Sequence, residues 1–367
     1  MRINKTIQFL VLGISLLLGI LVVVNPTKAA IDPVPAHITN IENLFAPPLK
    51  ESDSELPVDG VTVINPAAND QSGAIWSNPD NRIDLSKDFE ATMLLNFGDS
   101  GSNAADGMAF VMHADPRGYN TIQTGGTGQQ LGVWGSASSV DVSPAIKKSF
   151  AVEFDTRHND DWDSAPTGIL GTSKPLVRNH IAWNYPALTS SYKDFGIIGS
   201  KIRLIHNDVK EFPGSDGKWH EFNVKWSYAD HTLTYKFDGQ DPVKVPIIVN
   251  NIFGTTQVYW GFTGKTGKSN ELNQVAFKKI SNIPITSQNY KVYHKNGNAL
   301  GAEVTKDNPA KPLEELKGVL TINNDPTSGS DWKQVGVRYK TDGTDTSQGV
   351  SYVADDLMIN NKLVSKK

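Results

Sequence analysis

The chain has 367 residues, a formal net charge of −4 and no cysteine. Nothing in that mildly acidic balance argues for a nucleic-acid partner, which would call for a basic face, and without cysteine an exported fold has no disulfides to staple it. The length accommodates one large all-β domain of about 200–250 residues with something smaller beside it.

In chain order, residues 1–29 read as a secretory signal peptide. Arg2 and Lys5 form a positive n-region, Ile7 to Val24 is apolar, and Thr27-Lys28-Ala29 supplies small residues for cleavage. The apolar run, about 18 residues, is also long enough for an uncleaved anchor; that is the one membrane association expected. Either way the remainder is expected outside the cytoplasm, secreted or at the cell surface.

After a Pro-rich leader (Asp32 to Pro48) come short β-type runs set apart by Gly, Asn, Asp and Ser clusters: GVTVI, FEATMLLNF, GMAFVMH, QLGVWG, SFAVEFD, HIAWNY, KIRLIH, HEFNVKWSY, TLTYKFDG and QVYWGFTG. HEFNVKW and TLTYKF alternate apolar and polar residues around a short polar turn, the mark of a hairpin with one core face and one solvent face. No segment carries a convincing amphipathic helix. The pattern predicts an antiparallel β-sandwich over residues 36–285. From 287 to 367 the runs YKVYHKNG, VLTINN, WKQVGVRYK and GVSYVADDLMI predict a second, small β-domain or spacer without a recognisable chemical constellation.

The most informative stretch is AVEFDTRHNDDWD, Ala151 to Asp163. In a strand, side chains at i and i+2 share a face, so Val152 and Phe154 point to the core while Glu153 and Asp155 point the other way. Two ionised groups on one buried face need a counter-ion. With Asn159, Asp161 and Asp163 following in a loop, the cluster is the hard, oxygen-rich donor set that calcium prefers. His180, in NHIAWNYP, adds a nitrogen donor suited to a transition-type metal.

Glu153-x-Asp155-x-x-x-Asn159-x-x-x-Asp163, followed by His180-Ile181 and another strand, resembles the metal-binding segment of the legume (L-type) lectins. Three further stretches agree in order. AADGMAFVMH (Ala104 to His113) resembles the segment with the family's sugar-binding aspartate, and GGTGQQLGVWG (Gly125 to Gly135) its glycine-rich loop. VYWGFTGKTGKSNELNQVAF (Val258 to Phe277) resembles its late strand and variable specificity loop. The pattern looks closest to the lectin-like domains on surface proteins of Gram-positive bacteria.

The resemblance implies a jelly-roll β-sandwich that binds glycans or glycoconjugates, of host or cell-wall origin, with help from calcium. Asp106 would accept hydrogen bonds from sugar hydroxyls, with the Ala105–Asp106 peptide cis. Asn159 would serve both calcium and sugar, and a backbone N–H near Gly126 or Gly128 would complete the contact. Lys268 and Ser269 fall in the specificity loop. Asp155, Asn159, Asp163 and the Arg157 carbonyl would hold calcium; Glu153 and His180 would complete a site for a second metal such as Mn2+. Two departures stand out: the insertion SAPTGILGTSKPLVRN separates Asp163 from His180, and Arg157-His158 replaces an aromatic or apolar residue often found between the ligands. The insertion favours calcium alone.

Two other readings remain. Jelly-roll glycoside hydrolases carry E-x-D-x-x-E, but here His158 stands where the acid/base glutamate should be, and a retaining mechanism needs two carboxyls about 5–5.5 Å apart. A structural adhesion module without a sugar site is the other. It differs from a lectin in whether Asp106 and Asn159 converge on one open pocket.

Overall fold

The structure, a computed structural model, describes residues 31–324 apart from short breaks at 42, 124, 137–139, 161, 168–171, 195–201, 282–285, 298 and 313, together with 357–359 and 362–365. The expected signal peptide, the WKQVGVRYK run and Asp161 lie outside the described residues. The chain divides into two units, residues 1–330 and 331–367. Within the second, Leu357–Ile359 pairs antiparallel with Lys362–Ser365.

The first unit is built on two antiparallel sheets. A six-stranded sheet runs in the order Thr62–Asn65, Asn273–Ile280, Phe89–Asn96, Trp219–Ser227, Thr232–Phe237, Val243–Pro246. A seven-stranded sheet runs Asn207–Glu211, His180–Asn184, Ser149–Asp155, Gly107–His113, Gln257–Lys265, Ser72–Trp76, with Ile83–Asp84 also pairing on Gln257–Lys265. The predicted hairpin forms, with Trp226 opposite Leu233 and Ser227 opposite Thr232. Its first strand buries His220, Phe222, Val224 and Trp226 while the residues between them are exposed or half-buried, because its outer face meets water.

The seven-stranded sheet is covered on both faces, so GMAFVMH and SFAVEFD are buried at every position. On the inner face Met108, Phe110, Val152 and Phe154 pack against Phe222, Val224 and Phe277 of the other sheet in one core, and Phe154 meets Phe222 edge to face at 4.9 Å. Each such aromatic contributes about 1.5–3 kcal/mol by leaving water. On the outer face Ala109, Val111 and Ala151 lie under a second apolar cluster formed by Leu131, Val133, Trp134, Trp162, Tyr192 and Leu204. Loops and a short two-stranded ribbon, Tyr192–Asp194 with Ile202–Leu204, make that cover, and Glu153 and Asp155 lie on the same strand as Ala151.

Several runs fold otherwise than their composition suggests. QLGVWG is not a strand: Gly128–Gln130 forms a 3₁₀ turn, and Leu131 follows in the left-handed region at φ 46°. Its apolar residues are buried as a plug over the sheet, so burial there reflects loop packing rather than strand pleating. Within KIRLIH, Ile202–Leu204 is a strand, paired with Tyr192–Asp194. SGAIW (Ser72–Trp76), NDVKE (Asn207–Glu211) and VKVP (Val243–Pro246) form strands that their patterns did not announce. Beyond the sandwich, Thr286–Asn296 is the central strand between Ala299–Glu303 and Leu316–Asn324.

Candidate functional site

Asp106 sits at the entrance of the strand Gly107–His113, after a cis peptide bond from Ala105, as the resemblance implies. Its N–H donates to Lys265 O at 3.2 Å, and its carbonyl accepts from Thr156 N–H at 3.1 Å. The aspartate is therefore tied to both the late strand and the acidic loop. Two glycines are required by proximity. A Cβ on Gly107, whose φ is 131°, would lie 2.2 Å from Phe154 O, and one on Gly128 would lie 1.6 Å from Asp106 Oδ2. The glycine-rich loop is fixed by Gln130 Oε1, which accepts from Thr127 N–H at 2.5 Å.

These segments enclose an open cleft of about 270 Å³ whose lining includes Asp106, Gly128, Arg157, Asn159, Lys268 and Ser269. Gly126 is not part of that lining. Asp106 is 5% exposed. Burial is the largest influence on its carboxyl, which it raises to about 6; Arg157 opposes that rise and Asp163 adds to it. The Arg157 guanidinium donates from Nη1 to Ser269 Oγ at 3.0 Å, joining the acidic loop to the expected specificity loop.

Behind the cleft lie the acids. Glu153 and Asp155 are each 1% exposed, Asp163 and His180 are fully buried, and the register of the sheet sets Asp155 directly opposite His180. The insertion is absorbed by a two-stranded ribbon, Ser164–Thr167 with Thr172–Pro175, so His180 returns to the acidic strand end despite its distance in sequence. His206, which no motif singled out, arrives from the turn before Asn207–Glu211, a strand that pairs with His180–Asn184. Its Nε2 lies 3.3 Å from Glu153 Oε1 and 3.6 Å from Asp163 Oδ1, while His180 Nε2 lies 3.8 Å from Glu153 Oε1.

Glu153 Oε1, Asp155 Oδ2, Asn159 Oδ1, Asp163 Oδ1, His180 Nε2 and His206 Nε2 are all buried without a hydrogen-bond partner. Buried polar atoms are ordinarily satisfied, so a cluster of this kind fits cations. Two sets have donor atoms within 4.8 Å of one another: Glu153 with His180 and His206, and Asp155 with Asp163 and His180. The second oxygens of the carboxylates are used to shape the loop. Asp155 Oδ1 accepts from Arg157 N–H at 2.7 Å, and Asp163 Oδ2 from Asn159 N–H at 2.5 Å.

The electrostatics agree with that fit. Burial, reinforced by neighbouring carboxylates, pushes Glu153 and Asp155 well above the usual range, and burial raises Asp163 to about 6 against the lowering influence of His180. Burial lowers His180 to about 4 and His206 to about 3, so both rings are neutral, the form that ligates metal. A divalent ion removes the carboxylate repulsion that burial otherwise magnifies. Oxygen-only donors from Asp155, Asn159 and Asp163 suit calcium; the imidazoles beside Glu153 suit a transition-type ion. The donors for a second centre are thus brought together across the insertion.

The aromatic residues near the acids are structural. Trp162 is 1% exposed and plugs the acidic loop against Tyr192, at a centroid distance of 6.1 Å. Trp134 is fully buried, its Nε1 donating to Asn184 Oδ1 at 2.7 Å. Trp183 and Tyr185 pack at the rim of the inner core. His220 is held between Asp216 at 3.0 Å and Asp238 at 2.9 Å. Sequence reading also passed over Glu271, fully buried behind the cleft, whose Oε1 accepts from Asn273 Nδ2 at 3.3 Å. Glu153, the residue a hydrolase would need as nucleophile, is not part of the cleft lining.

Comparison with known proteins agrees with this architecture. The profile of the legume lectin beta-barrel domain matches residues 39–279. Among solved structures, the chain is similar to lectin II from Ulex europaeus, at 17% identity and a TM-score of 0.46 over 64% of this chain and 94% of that one. It is also similar to the lectin from Bauhinia forficata in complex with GalNAc, at 17% identity and a TM-score of 0.44, again over 64% and 94%. No curated protein matches the chain. With the family profile spanning well over half its length, the chain belongs to the legume-lectin (L-type lectin) family.

Proposed function

We propose that the protein is a calcium-dependent lectin, secreted or retained at the cell surface, that binds glycans without chemically altering them. The observation that carries this reading is that Asp106 and Asn159 line one open cleft, while Asn159 Oδ1 also belongs to the cluster of partnerless buried donors. A structural module has no need of such convergence. Asp106 accepts from sugar hydroxyls, Asn159 donates through its amide nitrogen, and the backbone at Gly128 comes close because no side chain intervenes. Calcium, when bound, supplies the positive charge that holds the acidic loop in shape. Asp155, Asn159, Asp163 and the Arg157 carbonyl would be its ligands, with Glu153, His180 and His206 holding a second ion such as Mn2+.

Hydroxyl groups exchange water for protein with little net gain, so one cleft binds weakly and adhesion rests on several copies acting together. Residues 287–367 then serve as a spacer or a partner-binding module, and host or cell-wall glycans are the expected partners. The test is a glycan array with the purified protein in calcium and in EDTA, beside Asp106→Ala. Calcium-dependent binding that the variant loses is expected. Binding indifferent to both changes would place the sugar elsewhere, and no binding in any condition would favour a purely structural adhesion module.

A further inference from the structure

The cleft has an unusual charge lining for a site that reads neutral hydroxyls. Asp106 is the acid named in its lining, against two cations, Arg157 and Lys268. Arg157 occupies the position between metal ligands where the family often places an aromatic or apolar residue. Its backbone N–H is held by Asp155 Oδ1 at 2.7 Å, and its guanidinium is half-buried. Among the described residues that guanidinium makes one hydrogen bond, to Ser269 Oγ at 3.0 Å, and no ion pair. A guanidinium offers five N–H donors in a planar fork, and this one belongs to a residue that lines the cleft. Lys268 is exposed on the opposing loop, without an ion pair among the described residues. Lys265, whose Nζ donates to Gly125 O at 2.5 Å and Gln123 Oε1 at 3.4 Å, adds positive charge beneath the glycine-rich loop.

The remaining acids do not cancel this field at the mouth. Glu153, Asp155 and Asp163 are at most 1% exposed and face the partnerless histidine and amide donors rather than the cleft. A cation among them neutralises charge that would otherwise reach the ligand. In the lining, the one carboxylate of Asp106 is set against two cations, Arg157 and Lys268, one of them a planar fork suited to an oxyanion.

We infer that the glycan this cleft takes carries an acidic group, received by the Arg157 guanidinium with Lys268 beside it, while Asp106 and Asn159 hold neutral hydroxyls of the same or the adjoining sugar. The inference rests on the lectin reading above and names the ligand class of that cleft. A carboxylate, as in a sialic or uronic acid, and a sulfate ester share this chemistry. The fork geometry matches either, and the experiment separates them.

The test uses calcium-loaded full-length protein on an array of matched glycans: neutral oligosaccharides beside their sialylated, uronic-acid and sulfated counterparts. The leading acidic glycan and its neutral parent are then titrated by calorimetry against wild type, Arg157→Gln and Lys268→Ala, with calcium content and melting temperature measured for each. Charge-assisted hydrogen bonds predict a preference for the acidic glycan of roughly 10–100-fold. Arg157→Gln is expected to reduce that ratio to within about twofold at unchanged calcium content. Carboxylated hits without sulfated ones, or the reverse, identify the group. Calcium-dependent binding of neutral glycans at least as tight as their acidic counterparts would overturn this inference and leave the lectin reading standing. Binding of no glycan in calcium would overturn both. A preference that survives Arg157→Gln but not Lys268→Ala would overturn the assignment to Arg157.

Discussion

Asp155 and His180 face each other as direct partners across the strands Ser149–Asp155 and His180–Asn184, although the insertion lies between them in sequence. Sheet register, not loop length, brings the imidazole to the acids. The carboxylates of Glu153, Asp155 and Asp163 are held beside two neutral histidines with oxygens and nitrogens left unbonded. Removing divalent ions is therefore expected to destabilise the sandwich. At free ion about 100 times its dissociation constant, binding contributes about 2.7 kcal/mol, which in a domain of this size shifts melting by roughly 5–10 °C. Calorimetric scans in calcium and in EDTA read this directly; coincident transitions would show that the cluster holds no ion under those conditions.

His206 lies closer to Glu153 Oε1 than His180 does, at 3.3 Å against 3.8 Å, and its side chain is 4% exposed. A direct ligand at that position gives His206→Ser a specific signature. Affinity for a transition-type ion should fall by at least about 10-fold, the lower end of what losing even an outer-shell partner costs. Calcium at the oxygen donors should be retained. Metal analysis after dialysis against equimolar Mn2+, Zn2+ and Ca2+ separates the two; equal content of every ion in wild type and variant would remove His206 from the ligand set.

Why His206 escaped notice while Asp155 did not is a matter of range. The acids share one strand and one loop, so period-two alternation and a short spacing expose them. His206 is brought in through the pairing of Asn207–Glu211 with His180–Asn184, a relationship between separate strands that leaves no local trace. The same distinction runs through the fold. HEFNVKW alternates because one face meets water, and it was legible. SGAIW is too rich in small residues to alternate visibly, and VKVP alternates over only four residues. QLGVWG is apolar because it plugs the outer face, and its left-handed Leu131 at φ 46° belongs to a turn that composition alone does not reveal. Asp106, Asn159 and Lys268 were named through a family resemblance, and tertiary folding is what joins them at one cleft.

Gly128 offers the sharpest steric test of that cleft. A Cβ there would fall 1.6 Å from Asp106 Oδ2, far inside contact distance, so Gly128→Ala must displace either the carboxylate or the loop. The glycine is not in a left-handed conformation, so the substitution adds no backbone strain of its own. Glycan binding is expected to fall below detection, at least about 100-fold if two hydrogen bonds to the charged carboxylate are lost, with the melting temperature within a few degrees of wild type. Retained affinity would mean that Asp106 does not contact sugar in the observed conformation.

Glu271 provides a pH signature of its own. It is fully buried, and burial pushes its carboxyl from 4.5 up to about 8, outweighing the lowering effect of its hydrogen bonds. Because the folded state binds this proton more tightly than the unfolded chain, the associated stability is fully present below about pH 4.5. It is lost progressively as pH rises through 8. Glu271→Gln keeps an acceptor for Asn273 Nδ2, bonded at 3.3 Å in the wild type, and replaces the other carboxyl oxygen with a neutral donor. With calcium saturating in both proteins, the variant is expected to match wild type near pH 5 and to melt several degrees higher at pH 8.5, since a shift of one pKa unit is worth about 1.4 kcal/mol. Parallel melting curves for the two proteins from pH 5 to 8.5 would mean that Glu271 is ionised in the folded state throughout, with a cation or a relaxed partner compensating its charge.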